Sequence, residues 1–382
     1  MSRRVLVVVG AVTGVAVLGL SSLAVLGSVP ASAEADGWSG WTGRVDSASV
    51  SDRAAMTPDD DVAVSLLARA SRAASSVAYA GRAVTVDRIT TTSTEIVHVP
   101  GRGTLARITG TPESDARFAP DGRSGSFADA GRQLDLLKVN YRVLRQADLD
   151  MRVAGRPTEA VVAVDPDGAL AARYWLDART GLLLRKELVG SSGVVWSRAG
   201  FDSISYSTAV LGTVPTSGPS DWSPPLDAAG LAAARQAGCA CPDALPGGLT
   251  LVDSRRAAAG TVAAEAVVHQ LFSDGVESVS LFSLQGSLSP DDAAGLQARG
   301  FARTELQGRY AWVRGGDWRS SAATVVWDCG GSVLTLVTDD AQKPLDTAAA
   351  VLAALPPEPE PSDGSLMARI GRGWDRLTGG ES

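Results

Sequence analysis

The chain has 382 residues, of which 45% are hydrophobic and 20% are charged, so it can bury an ordinary globular core. After allowance for its ends, this length leaves room for two domains. The formal net charge of −7 and the lack of any basic run argue against nucleic acid as a partner, because an acidic surface repels phosphate backbones.

Residues 1–33 are predicted to be a signal peptide or a membrane anchor. Arg3 and Arg4 precede a long apolar run, and the small residues Ala31 and Ala33 that follow fit an export cleavage site. The run is long enough to cross a bilayer if it is not removed. In both cases the basic end stays inside, which places the bulk of the protein outside the cytoplasmic membrane, in the cell envelope.

Residues 34–56 are polar and rich in Gly and Ser, and they predict a flexible lead-in to a first domain at residues 57–206. Thr57 is expected to cap a helix with Pro58 at its first position. Apolar residues at three- and four-residue spacing carry that helix to about Ser76.

Beyond the helix, short runs rich in Val, Ile and Thr, separated by Gly and Pro, predict strands. A helical turn is expected at 133–138, and the turn signals between strands favour an antiparallel meander, so the fold class is α+β. The expected strands cover residues 77–90, 92–99, 103–110, 141–146, 149–153, 160–164, 169–176, 182–189 and 194–206.

The rest of the chain divides into a linker at 207–238, a small α+β domain at 239–355 and a tail at 356–382. The tail starts with a stiff run of Pro and Glu, and its apolar residues then fall near one face of a potential helix. That face would dock on a partner or a membrane surface, or pack on the protein itself. Its docking candidates are Leu366, Ile370, Trp374 and Leu377.

The three cysteines predict a disulfide, because the chain is expected to be exported. A Cys241–Cys329 bond is favoured, with Cys239 as a near-equal partner for Cys329, since a Cys239–Cys241 bond would close a very small loop. The alternative is three reduced thiols. Zinc is not expected, because the two histidines lie far from the cysteines in sequence.

No catalytic pattern is found in the sequence. His98 and His269 lie in strand-like runs of different domains, and neither a Gly-x-Ser-x-Gly elbow nor a phosphate-binding loop accompanies them. We therefore expect no catalytic residue, no metal and no cofactor. A binding protein is favoured over an enzyme, and a hydrolase with an unrecognised site is kept as the weakest alternative.

Several short segments together resemble a known family. They are Leu66-Leu-Ala-Arg-Ala-Ser-Arg72, Val77-Ala-Tyr-Ala-Gly81, Tyr174-Trp-Leu-Asp177, Thr180-Gly-Leu-Leu-Leu-Arg185, Leu245-Pro-Gly-Gly-Leu249 and Val268-His-Gln-Leu-Phe-Ser-Asp-Gly275. In this arrangement they are similar to the RseB/MucB regulators of the sigma-E envelope stress response, whose large domain is in turn similar to LolA-type lipoprotein carriers. The likeness covers roughly residues 60–345, and a simple carrier lacks the second domain.

The resemblance implies a half-open antiparallel β-barrel packed on a helix, followed by a smaller C-terminal α+β domain. It also implies a regulator that binds the outer segment of a membrane-anchored anti-sigma factor and senses lipid-like envelope stress signals. The alternative function is a lipid or lipoprotein carrier of the LolA type. The Cys-x-Cys pair, the N-terminal segment and the amphipathic tail are not part of the family pattern.

An open sheet with an apolar inner face would suit an acyl chain, because each buried CH₂ group contributes about 0.8 kcal/mol. The candidates for that apolar-ligand face are Val84, Val86, Tyr174 and Leu176. Strand alternation places each of them on one side of the sheet or the other, but does not indicate which. The competing interpretation is ordinary core beneath the helix.

Overall fold

The computed structural model describes residues 60–87, 91–109, 117–120, 130–190, 193–207, 223–257, 267–315, 323–329, 331–338 and 344–355. Within them the chain is α+β, with two antiparallel sheets and few helices. The N-terminal segment 1–33 and the tail candidates Leu366, Ile370, Trp374 and Leu377 lie outside the described residues. Across the described ranges, no helix has both the length and the apolar character needed to cross a membrane.

Helix α1 (Asp61–Ser76) begins after Asp60, whose side-chain Oδ1 accepts a hydrogen bond from the Val62 N–H at 2.8 Å. The sequence predicts Thr57 as the cap, three residues earlier. Thr57 lies outside the described residues. The Asp60 carboxylate also accepts from the Arg145 N–H with Oδ2 at 3.2 Å, and the Asp60 N–H donates to the Val143 carbonyl at 3.1 Å. The start of the helix is thereby tied to the edge of the first sheet.

The first sheet has ten strands in the order β4-β3-β2-β1-β10-β9-β8-β7-β5, with β6 paired to β7 beside it. Its strands are β1 (Tyr79–Asp87), β2 (Thr91–Val99), β3 (Gly103–Ile108), β4 (Arg117–Pro120), β5 (Arg142–Arg145), β6 (Arg152–Val153), β7 (Arg156–Val164), β8 (Leu170–Asp177), β9 (Leu183–Val189) and β10 (Val195–Ser205). Among these strands β4 and β5 do not pair with each other, so the sheet is open.

Two stretches between β4 and β7 differ from their predicted structure. Residues 133–138 were expected to form a helical turn but belong to a full helix, α2 (Ala130–Asn140), which packs against α1. Residues 149–153 were expected to form a strand, yet a 3₁₀ turn (Ala147–Leu149) and the two-residue β6 are found there. Strand β8 stabilises the 3₁₀ turn, because the Trp175 indole N–H donates to the Leu149 carbonyl at 2.8 Å.

The second sheet has seven strands in the order β11-β12-β13-β17-β16-β15-β14. Its strands are β11 (Thr250–Arg256), β12 (Val267–Ser273), β13 (Ser278–Gln285), β14 (Ala302–Leu306), β15 (Arg309–Gly315), β16 (Ala323–Cys329) and β17 (Ser332–Thr338). The helices of this part are α3 (Ala228–Gln236), α4 (Pro290–Ala298) and α5 (Pro344–Ala354). Strand β14 has a polar sequence with no clear apolar alternation.

The segment before α3 lines one edge of the second sheet. The N–H groups of Ser223 and Leu226 donate to the carbonyls of Arg256 and Ser254 in β11, at 2.8 and 2.7 Å. Part of the predicted linker therefore covers a sheet edge that would otherwise present unpaired backbone groups.

The disulfide differs from the favoured prediction. Cys239 bonds to Cys241, and Cys329, which is buried at the end of β16, stays outside that bond. The loop is short but closable, because the turn that follows α3 brings the Cα atoms of Cys239 and Cys241 to 5.3 Å, within the usual disulfide range.

Candidate functional site

The hairpin between β8 and β9 is organised by one buried carboxylate. Asp177 is fully buried, and its Oδ1 accepts hydrogen bonds from the N–H groups of Arg179 and Thr180 at 2.8 and 2.9 Å. Its Oδ2 accepts from Arg156 Nε at 2.8 Å and from the Tyr206 hydroxyl at 3.0 Å. The carboxylate therefore closes the turn and ties it to β7 and to the residue that follows β10.

The same turn lies against α1. Gly181 adopts φ +81°, and a Cβ at this position would lie 2.7 Å from Arg69 Cγ. Both the backbone conformation and the space favour glycine here. Arg69 also pairs with Glu159 of β7, so the hairpin, the helix and the sheet meet at one point.

Burial alone would raise the pKa of Asp177, but the hydrogen bonds from Arg156, Thr180, Arg179 and Tyr206 outweigh it and hold the pKa below its usual value. The carboxyl group is thus ionised at neutral pH. Burial raises the pKa of Tyr206 to about 12, so this phenol remains a hydrogen-bond donor. The arrangement stabilises the turn.

Helices α1 and α2 cover one face of the first sheet, here called the helix-covered face. Tyr174 and Leu176 of β8 lie on it, in one apolar cluster with Leu66 and Leu67 of α1. Tyr174 is 6% exposed and Leu176 is fully buried. Two of the four apolar-ligand candidates therefore lie beneath the helices.

The other two candidates lie on the opposite face. Tyr174 pairs with Lys186, Lys186 pairs with Ala199, and Ala199 pairs with Thr85 of β1. Directly paired residues share a face and neighbours in a strand alternate, so Val84 and Val86 point away from Tyr174. The four candidates do not form one surface.

The opposite face carries a buried charge cluster around Glu187. Its carboxylate accepts hydrogen bonds from Arg173 Nη1 at 3.1 Å, from Arg198 Nε at 2.8 Å and from Arg185. Glu187 is 1% exposed, and burial alone would raise its pKa. The neighbouring Arg185, Arg198 and Arg173 instead hold the pKa below its usual range. The cluster joins β8, β9 and β10 and contains no nucleophile.

A turn of the second sheet is docked on the part of the chain that forms the first sheet and its helices. The part with the first sheet is called the first domain below, and the part with the second sheet is called the second domain. The docked turn comprises residues 273–277 between β12 and β13 and is called the interdomain turn below. Val276 at its tip is 4% exposed and belongs to the same apolar cluster as Leu137 of α2 and Tyr174 of β8. One residue of the second domain thus completes the core beneath the helices of the first.

Polar contacts surround this docked valine. The buried ammonium group of Lys186 donates to the Val276 carbonyl at 2.9 Å, and it lies 5.9 Å from the centre of the Tyr174 ring. The Tyr141 hydroxyl donates to Asp274 Oδ2 at 2.6 Å, and the Asn140 amide donates to the Asp274 carbonyl at 2.9 Å. Burial, followed by the charge of Asp274, raises the pKa of Tyr141 above its usual value.

The histidines lie apart from this junction and from each other in the fold. His98 of β2 is buried, with Nδ1 2.8 Å from Thr104 Oγ1 and its ring stacked on Tyr79. His269 of β12 is buried against Phe282, and burial together with the charge of Arg255 lowers its pKa to about 3. In the described ranges, no group of three or more His, Cys, Asp or Glu side chains is placed to hold a metal ion.

No local pattern in the sequence predicted a domain junction at residues 273–277. Lys186 and Tyr141 were not singled out, because nothing local marks a residue that will meet another domain. A signal was present in β9, where three consecutive charged residues, Arg185, Lys186 and Glu187, lie within a strand. A charged residue in such a position needs a buried partner.

Residues 112–221 match the family profile described as the MucB/RseB N-terminal domain. No curated protein matches the sequence.

Two solved structures of MucB complexes are similar to the chain. MucB in complex with MucA(peri) is 20% identical, with a TM-score of 0.43 over 78% of this chain and 99% of that one. The Pseudomonas aeruginosa MucA/MucB complex is 20% identical, with a TM-score of 0.42 over 77% and 97%. A LolA superfamily protein from Nitrosomonas europaea is 9% identical, with a TM-score of 0.18 over 73% and 91%.

The TM-scores of all three structures are low, so the similarity to a family rests on the sequence match of residues 112–221. This match runs from before β4 to beyond β10. That stretch contains the Asp177 turn, the Glu187 cluster and the strands beneath α1 and α2. Over this part of its length the chain is similar to the MucB/RseB N-terminal domain.

Proposed function

We propose that this chain is an extracytoplasmic regulatory protein that binds the outer segment of a membrane-anchored anti-sigma factor and responds to lipid-like envelope stress signals. The observation that carries the proposal is the match of residues 112–221 to the MucB/RseB N-terminal domain. MucB has been solved in complex with MucA(peri), which supports a partner of the same kind for this chain.

The described architecture is consistent with binding rather than catalysis. The open ten-stranded sheet has one face covered by α1 and α2, in keeping with a LolA-like half-barrel at residues 57–206. Residues 239–355 would then be the smaller domain of the RseB C-terminal type. The buried charges around Asp177 and Glu187 are held by hydrogen bonds that stabilise the fold.

An extracytoplasmic location is supported by two features of the chain. Arg3 and Arg4 with the apolar run after them have the pattern of an export signal or anchor. The Cys239–Cys241 disulfide fits an oxidising compartment. N-terminal sequencing of the mature protein will show whether residues 1–33 are removed or retained.

The partner is tested by crosslinking in cells followed by identification of the crosslinked protein. We expect a single-span anti-sigma factor, and titration of its purified outer segment should saturate at a one-to-one ratio. Recovery of no single-span regulator, together with no saturable binding of such a segment, would rule the proposal out. A charge-matched, scrambled outer segment is the control for non-specific attraction.

A lipid or lipoprotein carrier is the second candidate, because the apolar cluster beneath the helices would also suit an acyl chain. This function predicts acyl chains in mass spectra of the purified protein and transfer of lipid between vesicle populations. Protein that is free of lipid and inert in transfer would remove the carrier while leaving the regulator intact.

A further inference from the structure

The hairpin of β14 and β15, at the edge of the second sheet, presents charged and aromatic side chains on one face. Arg303 pairs with Trp312 and Glu305 pairs with Tyr310, and Arg314 lies two residues beyond Trp312, so all five share that face. Tyr310 is 66% exposed, and Arg303 is exposed as well. Arg303, Tyr310, Trp312 and Arg314 are called the arginine patch below.

Both arginines of the patch are stacked on aromatic rings. The Cζ atom of Arg303 lies 3.5 Å from the centre of the Tyr310 ring, and the Cζ atom of Arg314 lies 5.0 Å from the centre of the Phe301 ring. Stacking holds a guanidinium group in one plane, and its N–H groups then point outward within that plane. Each arginine is thereby oriented to donate to a carboxylate.

The positive charge of the patch has no counter-ion within the described ranges. Neither Arg303 nor Arg314 forms an ion pair there. Burial and then the charge of Arg299 lower the pKa of Arg314 below its usual value, so the charge acting on this guanidinium group is another cation. An anion that binds beside two such cations relieves their repulsion. The patch therefore suits an anionic partner.

The chain itself contains a segment of matching chemistry. Residues 356–361 have the sequence Pro-Pro-Glu-Pro-Glu-Pro and lie outside the described residues. This composition favours a polyproline II conformation, and proline-rich segments of this kind bind aromatic-lined surfaces. Tyr310 and Trp312 offer such a surface, while the two stacked arginines offer partners for Glu358 and Glu360.

The acidic segment begins close to the patch. Helix α5 packs on the opposite face of the same sheet edge, in one apolar cluster with Leu306 of β14. Gln307 Nε2, in the turn between β14 and β15, donates to the Ala349 carbonyl of α5 at 3.4 Å. The helix ends at Ala354, and Pro356 follows two residues later. Six residues of polyproline II span about 19 Å, which exceeds the roughly 10 Å between packed layers, so the segment is long enough to pass round the edge of β14.

We propose that residues 356–361 bind the arginine patch of the same chain. The carboxylates of the segment pair with the two stacked guanidinium groups, and its proline rings pack on Tyr310 and Trp312. Because the segment is tethered next to the patch, its effective concentration there is high, and contacts that would be weak between separate molecules hold it in place. Leu366 and the apolar tail residues that follow it are then kept beside the second domain.

The test measures how fast phenylglyoxal modifies individual arginines of the full mature chain, with mass spectrometry to identify each site. The double substitution Glu358→Gln and Glu360→Gln removes the charges of the segment and keeps its size and its prolines. We expect Arg303 to be modified roughly threefold faster, because two exposed ion pairs of less than about 1 kcal/mol each are lost. Arg102, exposed in the turn between β2 and β3, is the internal reference and should not change.

Glu381→Gln is the matched control, because it removes one charge from the far end of the tail. It should leave the modification rate of Arg303 unaltered. An unaltered rate in the double variant would overturn the proposal. Protection of Arg303 that grows with protein concentration would assign the patch to the tail of a second copy, and protection found only after an acidic partner protein is added would assign it to that partner. Both results would also overturn it.

A second measurement restores the contact in trans. An acetylated peptide with the sequence of residues 356–361, added at millimolar concentration to the double variant, should slow the modification of Arg303 back toward the wild-type rate. The same peptide with Gln in place of both Glu residues should not. Equal effects of the two peptides, or no effect of either, would show that the carboxylates of the segment do not bind the patch.

Discussion

At the scale of single residues, the first domain depends on buried carboxylates that are fully hydrogen-bonded. Asp177 and Glu187 are almost completely buried, and each is surrounded by arginine or backbone donors. Removing the charge of such a group leaves its partners buried without compensation, which is strongly destabilising. The effect of a substitution should therefore exceed that of an exposed ion pair.

The substitution Asp177→Asn tests how much a buried carboxylate contributes to stability at the hairpin turn. The amide cannot accept from both Arg156 and Tyr206 while keeping the turn bonds, so we expect a loss of about 2–4 kcal/mol in the free energy of unfolding. Urea denaturation at pH 7 measures it. Asp202→Asn is the control, since the exposed Arg82–Asp202 pair should contribute less than about 1 kcal/mol. Equal losses in the two variants would contradict the argument.

The same residue gives a pH dependence with a definite sign. Because the folded-state pKa of Asp177 is below its unfolded value, its contribution to stability is complete above about pH 4. It is lost as the pH falls through the folded-state pKa. The free energy of unfolding should therefore fall less steeply between pH 5 and pH 2 in Asp177→Asn than in the wild type. Equal slopes in the two proteins would show that this carboxyl group is not responsible for the pH dependence.

At the scale of elements, the residue that caps the start of a helix can also join that helix to a neighbouring strand. Asp60 caps α1 and also accepts from the Arg145 N–H of β5, so it joins the first helix to the edge of the sheet. Ser289, in contrast, makes a local capping box with Asp292 at the start of α4. Asp60 therefore bonds to its own helix and to a strand, whereas Ser289 bonds only within its own helix start.

Asp60→Ala and Ser289→Ala separate these roles. Each should lose about 1 kcal/mol of stability through the missing cap. In Asp60→Ala alone, the Arg145 amide should also exchange faster with solvent, because its acceptor is gone. Hydrogen exchange resolved to single residues measures this, and unchanged protection of Arg145 would mean that the sheet edge does not depend on Asp60.

At the scale of the whole molecule, the two domains are joined by the interdomain turn as well as by the linker. The Tyr141–Asp274 bond is a partly buried hydrogen bond to a charged group. Bonds of this kind contribute about 1.5–3 kcal/mol, so this contact should couple the unfolding of the domains.

Tyr141→Phe keeps the ring and removes the donated hydrogen bond. We expect a lower unfolding temperature and a broader or divided calorimetric transition, since the domains would no longer unfold together. Tyr310→Phe is the matched control, because Tyr310 is 66% exposed in β15 and should tolerate the change. A single, unshifted transition in Tyr141→Phe would show that the bond does not couple the domains.

The sequence by itself determined most of the elements and pointed to the family that residues 112–221 resemble. Periodicity and turn residues indicated α1 and most strands of the first sheet, because these depend on neighbours a few residues apart. The short motifs likewise indicated an RseB/MucB-like chain before any contact was known.

Tertiary structure alone decided the faces, the cysteine pairing and the domain junction. Val84 and Tyr174 lie on opposite faces because of strand pairings that alternation cannot reveal. The junction joins residues far apart in the chain, with separations of 133 for Tyr141 and Asp274 and 90 for Lys186 and Val276. Local propensity carries no information at such distances, so packing between the domains decides which groups meet.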